Sequence, residues 1–331
     1  MARIFLTHIP DMLANYYGPR AVAALKQLGE VRINTGADVL DPAALASAAK
    51  GCEIVVSDRQ TAGPAAVFSA MPDLVAFLRC AVDIRNIDVG AASEAGVLVT
   101  QATPGFTVSV AEMAIGYMID LARNVSANVL DYRAGRIPQA GMGRQLRGAT
   151  LGIIGYGVIG TELAKLGSAL GMTVMVTDPF KKVADPALRQ VDLPVLLRES
   201  DFVVCLVVAN EQTENLMNAD VFAQMKKSGY FINLSRGNLV DEAALARALD
   251  EKRIAGAAMD VGRAPDQMPS PQLARRPDVI ATPHTAGLTP QAVEHQAFDT
   301  VRQVAELVAG RVPSGAVNAP AAHRLSRLRS A

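Results

Sequence analysis

Cysteine is scarce in this sequence, with three residues among 331. The three are Cys52, Cys80 and Cys205, an odd number that cannot all pair, and no two of them have CxxC spacing. These features exclude a disulfide-stabilised scaffold and a zinc ribbon. Their apolar surroundings indicate reduced thiols, as in a cytosolic protein.

The sequence also lacks an excess of charge and a long apolar run. Lys and Arg together number 32, as do Asp and Glu, so the net charge is zero. Such a protein has no overall field to attract a polyanion, and neither a nucleic acid nor an anionic membrane is an expected partner. The apolar run at 203–209 is too short to span a bilayer, and the first residues lack the apolar region of a signal peptide. We therefore expect a cytoplasmic protein.

The sequence does contain a regular alternation of short β-branched runs and longer Ala- and Leu-rich segments. Its length predicts two domains with separate cores. The alternation is typical of parallel strands joined by helical crossovers. The first series of predicted strands comprises residues 3–7, 31–34, 54–57, 75–79 and 97–100. The second comprises residues 150–154, 173–177, 202–208, 230–234, 257–260 and 279–282.

Two longer helices are expected outside these strands. Ser109 and Glu112 match a capping box, and the apolar residues that follow as far as Arg123 share one helical face. This pattern predicts a helix that bridges two lobes. A second helix over 291–309 would return the chain to the first lobe. The basic tail at 323–329 is expected to be a solvated end.

The strongest local signal is the segment 151–160, LGIIGYGVIG, in which a strand leads directly into Gly-x-Gly-x-x-Gly and a helix. In that setting Gly155 permits a tight turn, Gly157 lets a pyrophosphate approach the backbone and Gly160 allows close helix packing. Free N–H groups at the helix N-terminus bind the phosphates. We predict a cofactor-binding loop completed by Tyr156, Val158 and Ile159.

The next predicted strand ends at Asp178, 18 residues after the last glycine of that loop. An acidic residue at this distance binds the adenosine ribose in dinucleotide-binding folds. Its charge also repels a 2′-phosphate, which predicts NAD rather than NADP as the cofactor. Lys181 and Lys182 follow closely, so some use of NADP stays open.

A nicotinamide cofactor implies hydride transfer, and hydride transfer to a carbonyl needs a nearby cation and a proton donor. Open α/β sheets place such groups at the carboxyl ends of strands. Arg236 follows the predicted strand 230–234, and His284 follows 279–282. Arginine can bind a carboxylate with two hydrogen bonds, and histidine titrates near neutrality. We therefore predict that Arg236 binds the substrate and that His284 carries the proton.

Taken together, these motifs resemble those of the D-isomer-specific 2-hydroxyacid dehydrogenases of the phosphoglycerate, glyoxylate and hydroxypyruvate type. The matching motifs, in order, are the glycine loop, Asp178, Asn233-x-x-Arg236-Gly237-x-x-Val240-Asp241-Glu242 and Thr282-Pro283-His284-x-x-Gly287. The resemblance extends from about residue 30 to Asn318 and includes Ser109-Val110-Ala111-Glu112.

The resemblance implies an α/β protein of two doubly wound domains, a flavodoxin-like substrate-binding domain and a Rossmann NAD-binding domain. The substrate-binding domain would comprise residues 1–101 and 285–331, with the NAD-binding domain, 102–284, inserted between them and the active site in the cleft. It also implies a homodimer that binds NAD and a small 2-hydroxy or 2-oxo acid, without a metal.

The resemblance further assigns roles to individual residues. Arg236 would bind the substrate carboxylate and carbonyl, and His284 would be the acid–base group. Asp260 would contact the nicotinamide amide, and Ser235 would belong to the cofactor site.

The sequence departs from the family at the carboxylate that supports the catalytic histidine. The family has Asp-Val-Phe-x-x-Glu-Pro, whereas residues 260–266 here are DVGRAPD. Pro265 can neither orient an imidazole nor favour its cation. We hypothesise that Asp266 reaches His284 through a turn altered at Gly262. The alternative is that water or a backbone group orients the ring.

A second departure lies in the substrate loop, where the family's Val-Gly-x-Asp-Asn-Ile-Asp is replaced by VDIRNID at 82–88. A carboxylate at Asp83 opposes an anionic ligand unless Arg85 compensates. We therefore expect a substrate with a polar or charged group beyond C2, bound by Arg85, with Asp83 paired to that arginine or to a substrate hydroxyl. The alternative is a loop whose side chains point away. Val82 and Ile84 complete the predicted substrate-binding residues.

A third departure affects the adenine side of the cofactor site. The family's His-x-Pro-Leu-Thr is replaced by LVVAN at 206–210. This change predicts a more apolar wall at Val208, beside Asn210.

The sequence thus predicts an NAD-dependent oxidoreductase that interconverts a D-2-hydroxy acid and its 2-oxo acid. One alternative is a relative that oxidises another small anion, such as formate or phosphite. The other is an NAD-sensing interaction protein that has lost turnover, which the missing glutamate favours and the presence of Arg236 and His284 opposes. The physiological direction of the reaction stays open.

Overall fold

The computed structural model describes residues 1–330 and divides them into two compact units. The first unit comprises Met1–Gly105 and the chain from Thr289 onward, and the second is Phe106–Leu288. These boundaries lie four residues after the predicted ones at 101 and 284. Hydrogen bonds explain the difference, because the N–H of Thr103 binds Asp299 of the first unit, whereas the N–H groups of Thr285 and Ala286 bind Asp260 of the second.

Both units alternate strands and helices along the chain. The strands are β1 (Ala2–Leu6), β2 (Gly29–Ile33), β3 (Ile54–Ser57), β4 (Ala76–Arg79), β5 (Leu98–Gln101), β6 (Thr150–Ile154), β7 (Thr173–Thr177), β8 (Arg189–Gln190), β9 (Phe202–Cys205), β10 (Tyr230–Asn233), β11 (Gly256–Met259) and β12 (Val279–Ala281). The α-helices are α1 (Pro10–Tyr16), α2 (Pro19–Lys26), α3 (Pro42–Ala48), α4 (Ala65–Ala70), α5 (Val89–Glu94), α6 (Thr107–Arg123), α7 (Val125–Arg133), α8 (Val158–Ala169), α9 (Leu193–Glu199), α10 (Ala219–Ala223), α11 (Glu242–Asp250), α12 (Pro271–Ala274) and α13 (Pro290–Val308).

The first unit contains a parallel sheet with the strand order β2-β1-β3-β4-β5, the flavodoxin-like order. Every residue of β3 and β4 is buried, as expected for a sheet with helices on both faces. Residues of α2 and α13 pack in the core on one face. Residues of α3, α4 and α5 pack on the other.

The second unit contains a parallel sheet with the order β12-β11-β10-β9-β6-β7-β8, which is the Rossmann order. Helices α6 and α8 cover one face, and α9 to α12 cover the other. The register pairs Ile154 at the end of β6 with Thr177 and Cys205 at the ends of β7 and β9. The carboxyl ends of these strands therefore share one edge. The predicted fold class of two doubly wound domains is confirmed.

Two predictions about helices are wrong. Helix α6 begins at Thr107 with Phe106 as its N-cap and no side-chain cap, so Ser109 lies inside the helix and forms no capping box there. The whole of α6 falls within the second unit, where it packs against α8, instead of bridging two lobes. Helix α7 was not predicted, because it buries none of its residues and so lacks an apolar period.

The C-terminal tail is not a solvated end. Residues His323–Ser330 form 3₁₀ turns, and Leu325 packs against the core of the first unit. The guanidinium of Arg324 donates to the main-chain oxygens of Met71 and Leu74, at 3.0 and 2.9 Å. Arg324 thus binds carbonyl groups just beyond the end of α4. Among the residues described, no helix is both long and apolar enough to cross a membrane.

Candidate active site

The glycine loop follows β6 and is shaped by close contacts of its backbone. Gly155 has φ of 97°, and a Cβ there would lie 2.8 Å from the oxygen of Leu206. A Cβ on Gly160 would lie 2.2 Å from the oxygen of Gly155. Only glycine fits at these two positions, where strand, turn and helix meet.

The middle glycine of the loop, Gly157, faces open space. Gly157 is the N-cap of α8, has no side-chain cap, and a Cβ added to it would meet no atom within 4 Å. The first N–H groups of the helix are thus available to an anion, and its dipole favours negative charge there. The loop fits the pyrophosphate of a dinucleotide. Cofactor contacts by Tyr156, Val158 and Ile159, which lie around the turn, stay predictions. Bound as NADH, that dinucleotide supplies the hydride.

Asp178 lies beside this loop at the end of β7. Its Oδ2 accepts from the N–H of Tyr156 at 2.7 Å, and its Oδ1 accepts from the N–H groups of Phe180 and Lys181. Partial burial alone would raise the pKa of Asp178, but these three donors lower it below its usual value. The carboxylate is therefore ionised and fixed against the glycine loop, where it can accept from a ribose.

The turn after β9 lies at the same edge of the sheet as the glycine loop. Val208 is 78% exposed, and its predicted contact with the cofactor stays a prediction. Asn210 uses its side-chain oxygen to cap a short 3₁₀ helix, accepting from the N–H groups of Gln212 and Thr213. The hydroxyl of Ser235 donates to the main-chain oxygen of Val207 at 2.5 Å. Ser235 thus ties the turn after β9 to the turn after β10, and cofactor contacts by Asn210 and Ser235 stay predictions.

Arg236 lies in the turn after β10. The fully buried Asn233 donates through its side-chain N–H to the main-chain oxygen of Arg236 at 3.0 Å. The half-buried guanidinium donates to the main-chain oxygen of Ser235 at 2.8 Å. The backbone of Arg236 is therefore held by the buried side-chain amide of Asn233.

His284 lies in the turn after β12 and has a left-handed backbone, with φ of 56°. Its N–H donates to the main-chain oxygen of Asp260 at 2.9 Å. Its ring Nδ1 lies 2.9 Å from the main-chain oxygen of Asp266. Since a carbonyl can only accept, Nδ1 is the donor, and Nε2 is left for the substrate.

The hypothesis that the carboxylate of Asp266 supports His284 is therefore wrong, although Asp266 is the residue that contacts the ring. Asp266 and Gln267 both have left-handed backbones, with φ of 56° and 58°, so the chain reverses and presents a carbonyl. Gly262 permits this path, because a Cβ there would lie 2.5 Å from the Cα of Pro269. A backbone group replaces the family's glutamate.

Asp260 lies 2% exposed between the two turns that carry Arg236 and His284. Its N–H donates to the oxygen of Asn233, and its Oδ1 accepts from the N–H of Thr285 at 2.8 Å and from the hydroxyl of Thr282. Its Oδ2 accepts from the N–H of Ala286 at 2.9 Å. A carboxylate has about four acceptor sites, so one site on Oδ2 is left for the predicted nicotinamide amide.

The predicted substrate loop, residues 82–85, belongs to the first unit. The guanidinium of Arg85 binds the carboxylate of Asp83, with Nε 3.0 Å from both oxygens and Nη2 2.5 Å from Oδ2. The pairing expected between Asp83 and Arg85 is present. Val82 is half-buried, and Ile84 packs against the core of the first unit.

Sequence reasoning missed Arg79, which supports this loop from below. Arg79 is fully buried at the end of β4 and donates to the oxygens of Asp58 and Thr61 and to the side-chain oxygen of Asn86. Burial lowers the pKa of Arg79 to about 10, so the guanidinium stays charged at neutral pH. A charged residue at the end of an otherwise apolar strand was the available signal.

Among the residues that the structure describes, no cluster of His, Cys, Asp and Glu could hold a metal ion. The chain was also compared with known proteins. The family model for the D-isomer-specific 2-hydroxyacid dehydrogenase NAD-binding domain matches residues 115–286. A D-lactate dehydrogenase from Sporolactobacillus superimposes with a TM-score of 0.79 and 29% identity, covering 96% of this chain and 99% of that one.

Two curated relatives extend this similarity beyond the matched domain. The (S)-sulfolactate dehydrogenase of Chromohalobacter salexigens is 35% identical over 298 residues, covering 88% of this chain and 96% of the relative. A D-3-phosphoglycerate dehydrogenase of Synechocystis is 32% identical over 300 residues, covering 89% of this chain. This chain spans only 53% of the length of that phosphoglycerate dehydrogenase.

Proposed function

This chain belongs to the D-isomer-specific 2-hydroxyacid dehydrogenase family, and we propose that its substrate is a D-2-hydroxy acid with a second anionic group on C3. The chain is an NAD-dependent oxidoreductase that interconverts a 2-hydroxy acid and its 2-oxo acid. The unit formed by Met1–Gly105 and the chain from Thr289 onward is its substrate-binding domain, and Phe106–Leu288 is its NAD-binding domain. Arg236 binds the carboxylate and polarises the carbonyl, and Nε2 of His284 exchanges the proton.

One observation carries the substrate proposal, namely the way Asp83 and Arg85 pair. Asp83 engages Nε and Nη2 of Arg85, and the arginine side chain is 72% exposed. Since a guanidinium has five N–H donors, the Nη1 group is left to bind a second anion. Asp83 keeps the guanidinium oriented, and the pairing with Arg85 offsets the charge with which Asp83 would oppose an anionic substrate.

The names of the relatives support the same class of substrate. Sulfolactate carries a sulfonate on C3 and 3-phosphoglycerate carries a phosphate there. The (S) descriptor of sulfolactate denotes the same spatial arrangement as D-lactate, because the sulfur-bearing carbon outranks the carboxylate. A C3 sulfonate or phosphate is the group that Arg85 would bind.

A panel of 2-oxo acids followed by NADH absorbance tests this proposal. We expect kcat/KM for sulfopyruvate or phosphohydroxypyruvate to exceed that for pyruvate by at least about a hundredfold, equivalent to roughly 2.7 kcal/mol. Arg85→Ala should remove most of that preference and leave the rate with pyruvate unchanged. Arg311→Ala, at another exposed arginine paired with a carboxylate in the same unit, is the control.

Other outcomes of the panel would contradict the proposal. Equal turnover of pyruvate, with no effect of Arg85→Ala, would mean that the loop does not select substrate. Oxidation of formate or phosphite alone would favour a relative that acts on another small anion. Absence of turnover with every compound, together with tight NADH binding, would favour an NAD-sensing interaction protein.

We further propose a homodimer, located in the cytoplasm. Helix α7 and the segment that follows it expose several large apolar side chains, namely Val129, Leu130, Tyr132, Ile137 and Met142. Exposed apolar surface of this kind is typical of a protein–protein interface, and we propose that a second copy of the chain covers it. The free cysteines are consistent with a reducing compartment.

Sedimentation equilibrium tests the dimer. Wild type should sediment at twice the chain mass of 34.9 kDa, and the double substitution Leu130→Asp and Tyr132→Asp should yield monomer. Val312→Asp, at an apolar residue of the first unit that is 51% exposed, should leave the dimer intact. A monomeric wild type would contradict the proposal.

A further inference from the structure

A series of hydrogen bonds whose two end residues are buried connects helix α6 to the turn that carries His284. The hydroxyl of Tyr117, in the middle of α6, hydrogen-bonds the hydroxyl of Thr282. The hydroxyl of Thr282 in turn hydrogen-bonds Oδ1 of Asp260. Tyr117 is 4% exposed and Asp260 is 2% exposed, and Thr282 between them is partly buried.

The donors and acceptors in this series of hydrogen bonds follow from its last group, the carboxylate of Asp260. An ionised carboxylate only accepts, so the single proton of the Thr282 hydroxyl points to Asp260. The Tyr117 hydroxyl must then be the donor to Thr282. Burial, with the nearby charge of Asp260, raises the pKa of Tyr117 above its usual value. The tyrosine therefore stays protonated and keeps its role as donor across the working pH range.

The backbone around His284 needs such support. A left-handed backbone at a residue other than glycine costs about 1–3 kcal/mol and persists only where the surroundings enforce it. Here the main-chain and side-chain oxygens of Asp260 accept from three successive N–H groups, those of His284, Thr285 and Ala286. One aspartate thus holds the strained turn, and its orientation sets that of the imidazole.

Asp260 also connects this turn with the one that carries Arg236. Its own N–H donates to the main-chain oxygen of Asn233, whose side-chain N–H holds the oxygen of Arg236. A rotation of the Asp260 carboxylate would therefore move the His284 turn relative to the neighbouring strand. Hydride transfer depends on such alignment, because misplacement of about 1 Å can cost a hundredfold in rate.

We propose that Tyr117 is a positioning residue for the reaction, which acts through Thr282 and Asp260 to hold the His284 turn. Tyr117 touches neither substrate nor cofactor in this role. The proposal rests on the proposed function only for its kinetic arm, since the state of the turn can be measured without turnover.

The kinetic arm compares Tyr117→Phe with wild type. We expect kcat to fall on the order of tenfold, which is more than the rise in KM for NADH, because the alignment of the His284 turn is lost while the glycine loop and Asp178 still bind the dinucleotide. Thr282→Val should cause a similar fall, and Thr282→Ser, which restores the hydroxyl, should recover most of it. Tyr230 lies in the same unit, and the structure describes no hydrogen bond of its hydroxyl. Tyr230→Phe should therefore leave kcat unchanged.

A double substitution shows whether the two hydroxyls act together. Because Tyr117 acts only through Thr282, Tyr117→Phe combined with Thr282→Val should be no slower than Thr282→Val alone. Fully additive losses would overturn the proposal. So would a Tyr117→Phe enzyme with the kcat of wild type.

Hydrogen exchange gives the arm that does not need turnover. The amides of Thr285 and Ala286 bind the carboxylate of Asp260, and in Tyr117→Phe we expect them to exchange on the order of threefold to tenfold faster. The amide of Ala258, within β11, should keep its wild-type rate. If no 2-oxo acid turned over in wild type, the proposed function would fail, yet faster exchange at Thr285 and Ala286 would still support the positioning role. Unchanged exchange at both would overturn it.

Discussion

The imidazole of His284 has one ring nitrogen committed by its surroundings. Nδ1 donates to the main-chain oxygen of Asp266, which leaves Nε2 as the atom that faces proton exchange. In the mechanism proposed above, the protonated Nε2 donates to the forming hydroxyl when a 2-oxo acid is reduced. In oxidation of the 2-hydroxy acid, the neutral Nε2 accepts that proton. A neutral carbonyl fixes the ring in place without adding a negative charge beside it.

Changing the side chain of Asp266 while keeping its main chain tests this assignment. We expect Asp266→Asn to retain kcat and its pH dependence within about twofold, because the carbonyl that binds Nδ1 is unchanged. His284→Ala removes the proton carrier and should lower kcat by at least about a hundredfold. The measurement is kcat for both variants across the neutral pH range. A displaced pH profile for Asp266→Asn would mean that the carboxylate supports the ring after all.

We expect Asp178 to determine the choice between the two nicotinamide coenzymes. Its carboxylate is ionised and held by three backbone donors beside the glycine loop, where it would meet a 2′-phosphate. We expect kcat/KM for NADH to exceed that for NADPH by at least about tenfold, equivalent to roughly 1.4 kcal/mol. Asp178→Ala should narrow this gap mainly through KM.

The control for this prediction is Asp185→Ala, which removes an exposed carboxylate from the same unit. It should leave the ratio of the two coenzymes unchanged. Equal use of NADH and NADPH by wild type would contradict the role of Asp178. It would also favour an accommodation of the 2′-phosphate by Lys181 and Lys182.

At the scale of the element, the turn over residues 262–268 depends on Gly262. A Cβ at this position would lie 2.5 Å from the Cα of Pro269 and 2.7 Å from the oxygen of Met268, both backbone atoms that cannot move alone. We expect Gly262→Ala to destabilise the protein by about 1–3 kcal/mol and to lower kcat, because the Asp266 carbonyl shifts from His284. Thermal unfolding and kcat measure the two effects.

Gly141→Ala is the matched control for that turn, since a Cβ at Gly141 would meet no atom within 4 Å. It should change neither stability nor rate by a measurable amount. If Gly262→Ala unfolded at the wild-type temperature with wild-type kcat, the turn would not be set by the glycine.

Most of the strands were predictable because parallel strands with two covered faces are continuous apolar runs. The predicted bounds of β3, β6 and β7 match the structure exactly as residues 54–57, 150–154 and 173–177. Helix α7 was missed because its apolar side chains do not form a buried face, and β8 because both of its two residues are exposed. Local patterns reveal an element only where the element is buried.

The candidate site was predictable to a different depth. Residues that follow strand ends, such as Arg236 and His284, could be found because the fold brings strand ends to one edge. The contact between His284 and the carbonyl of Asp266 could not, because it depends on two left-handed residues and on packing against Pro269. Backbone groups leave no mark in a sequence, so a carboxylate was the natural but wrong expectation.

At the scale of the whole molecule, each unit contains its own buried polar cluster. In the second unit it is the Asp260 network. In the first unit His8, Asp58 and Arg79 lie at the carboxyl ends of β1, β3 and β4, all of them buried. Nδ1 of His8 and Nε of Arg79 are buried without a hydrogen-bond partner. These groups hold the strand ends beneath the predicted substrate loop. The stability of the first unit therefore depends on their charge states, and so on pH.

His8 makes the stability of the first unit sensitive to acid. Burial, with a smaller effect of the Arg79 charge, lowers the pKa of His8 from 6.5 to about 4, although the carboxylate of Asp58 opposes the shift. The folded state thus favours the neutral ring. This contribution to stability is complete above pH 6.5, the unfolded value, and is lost as the pH falls towards 4. A shift of this size corresponds to about 3 kcal/mol.

Replacing His8 with a ring that cannot titrate should remove this dependence. His8→Phe keeps an aromatic ring beside Tyr17, whose centroid lies 5.0 Å from that of His8. The measurement is urea unfolding, followed through NMR signals of Ile4 and Val56. We expect the free energy of unfolding of wild type to fall between about pH 7 and about pH 4.5. In His8→Phe this fall should be smaller by a few kcal/mol. Signals from the second unit should respond alike in both proteins, since His8 belongs to the first. Equal losses at Ile4 in wild type and variant would show that His8 does not govern the acid sensitivity of this unit.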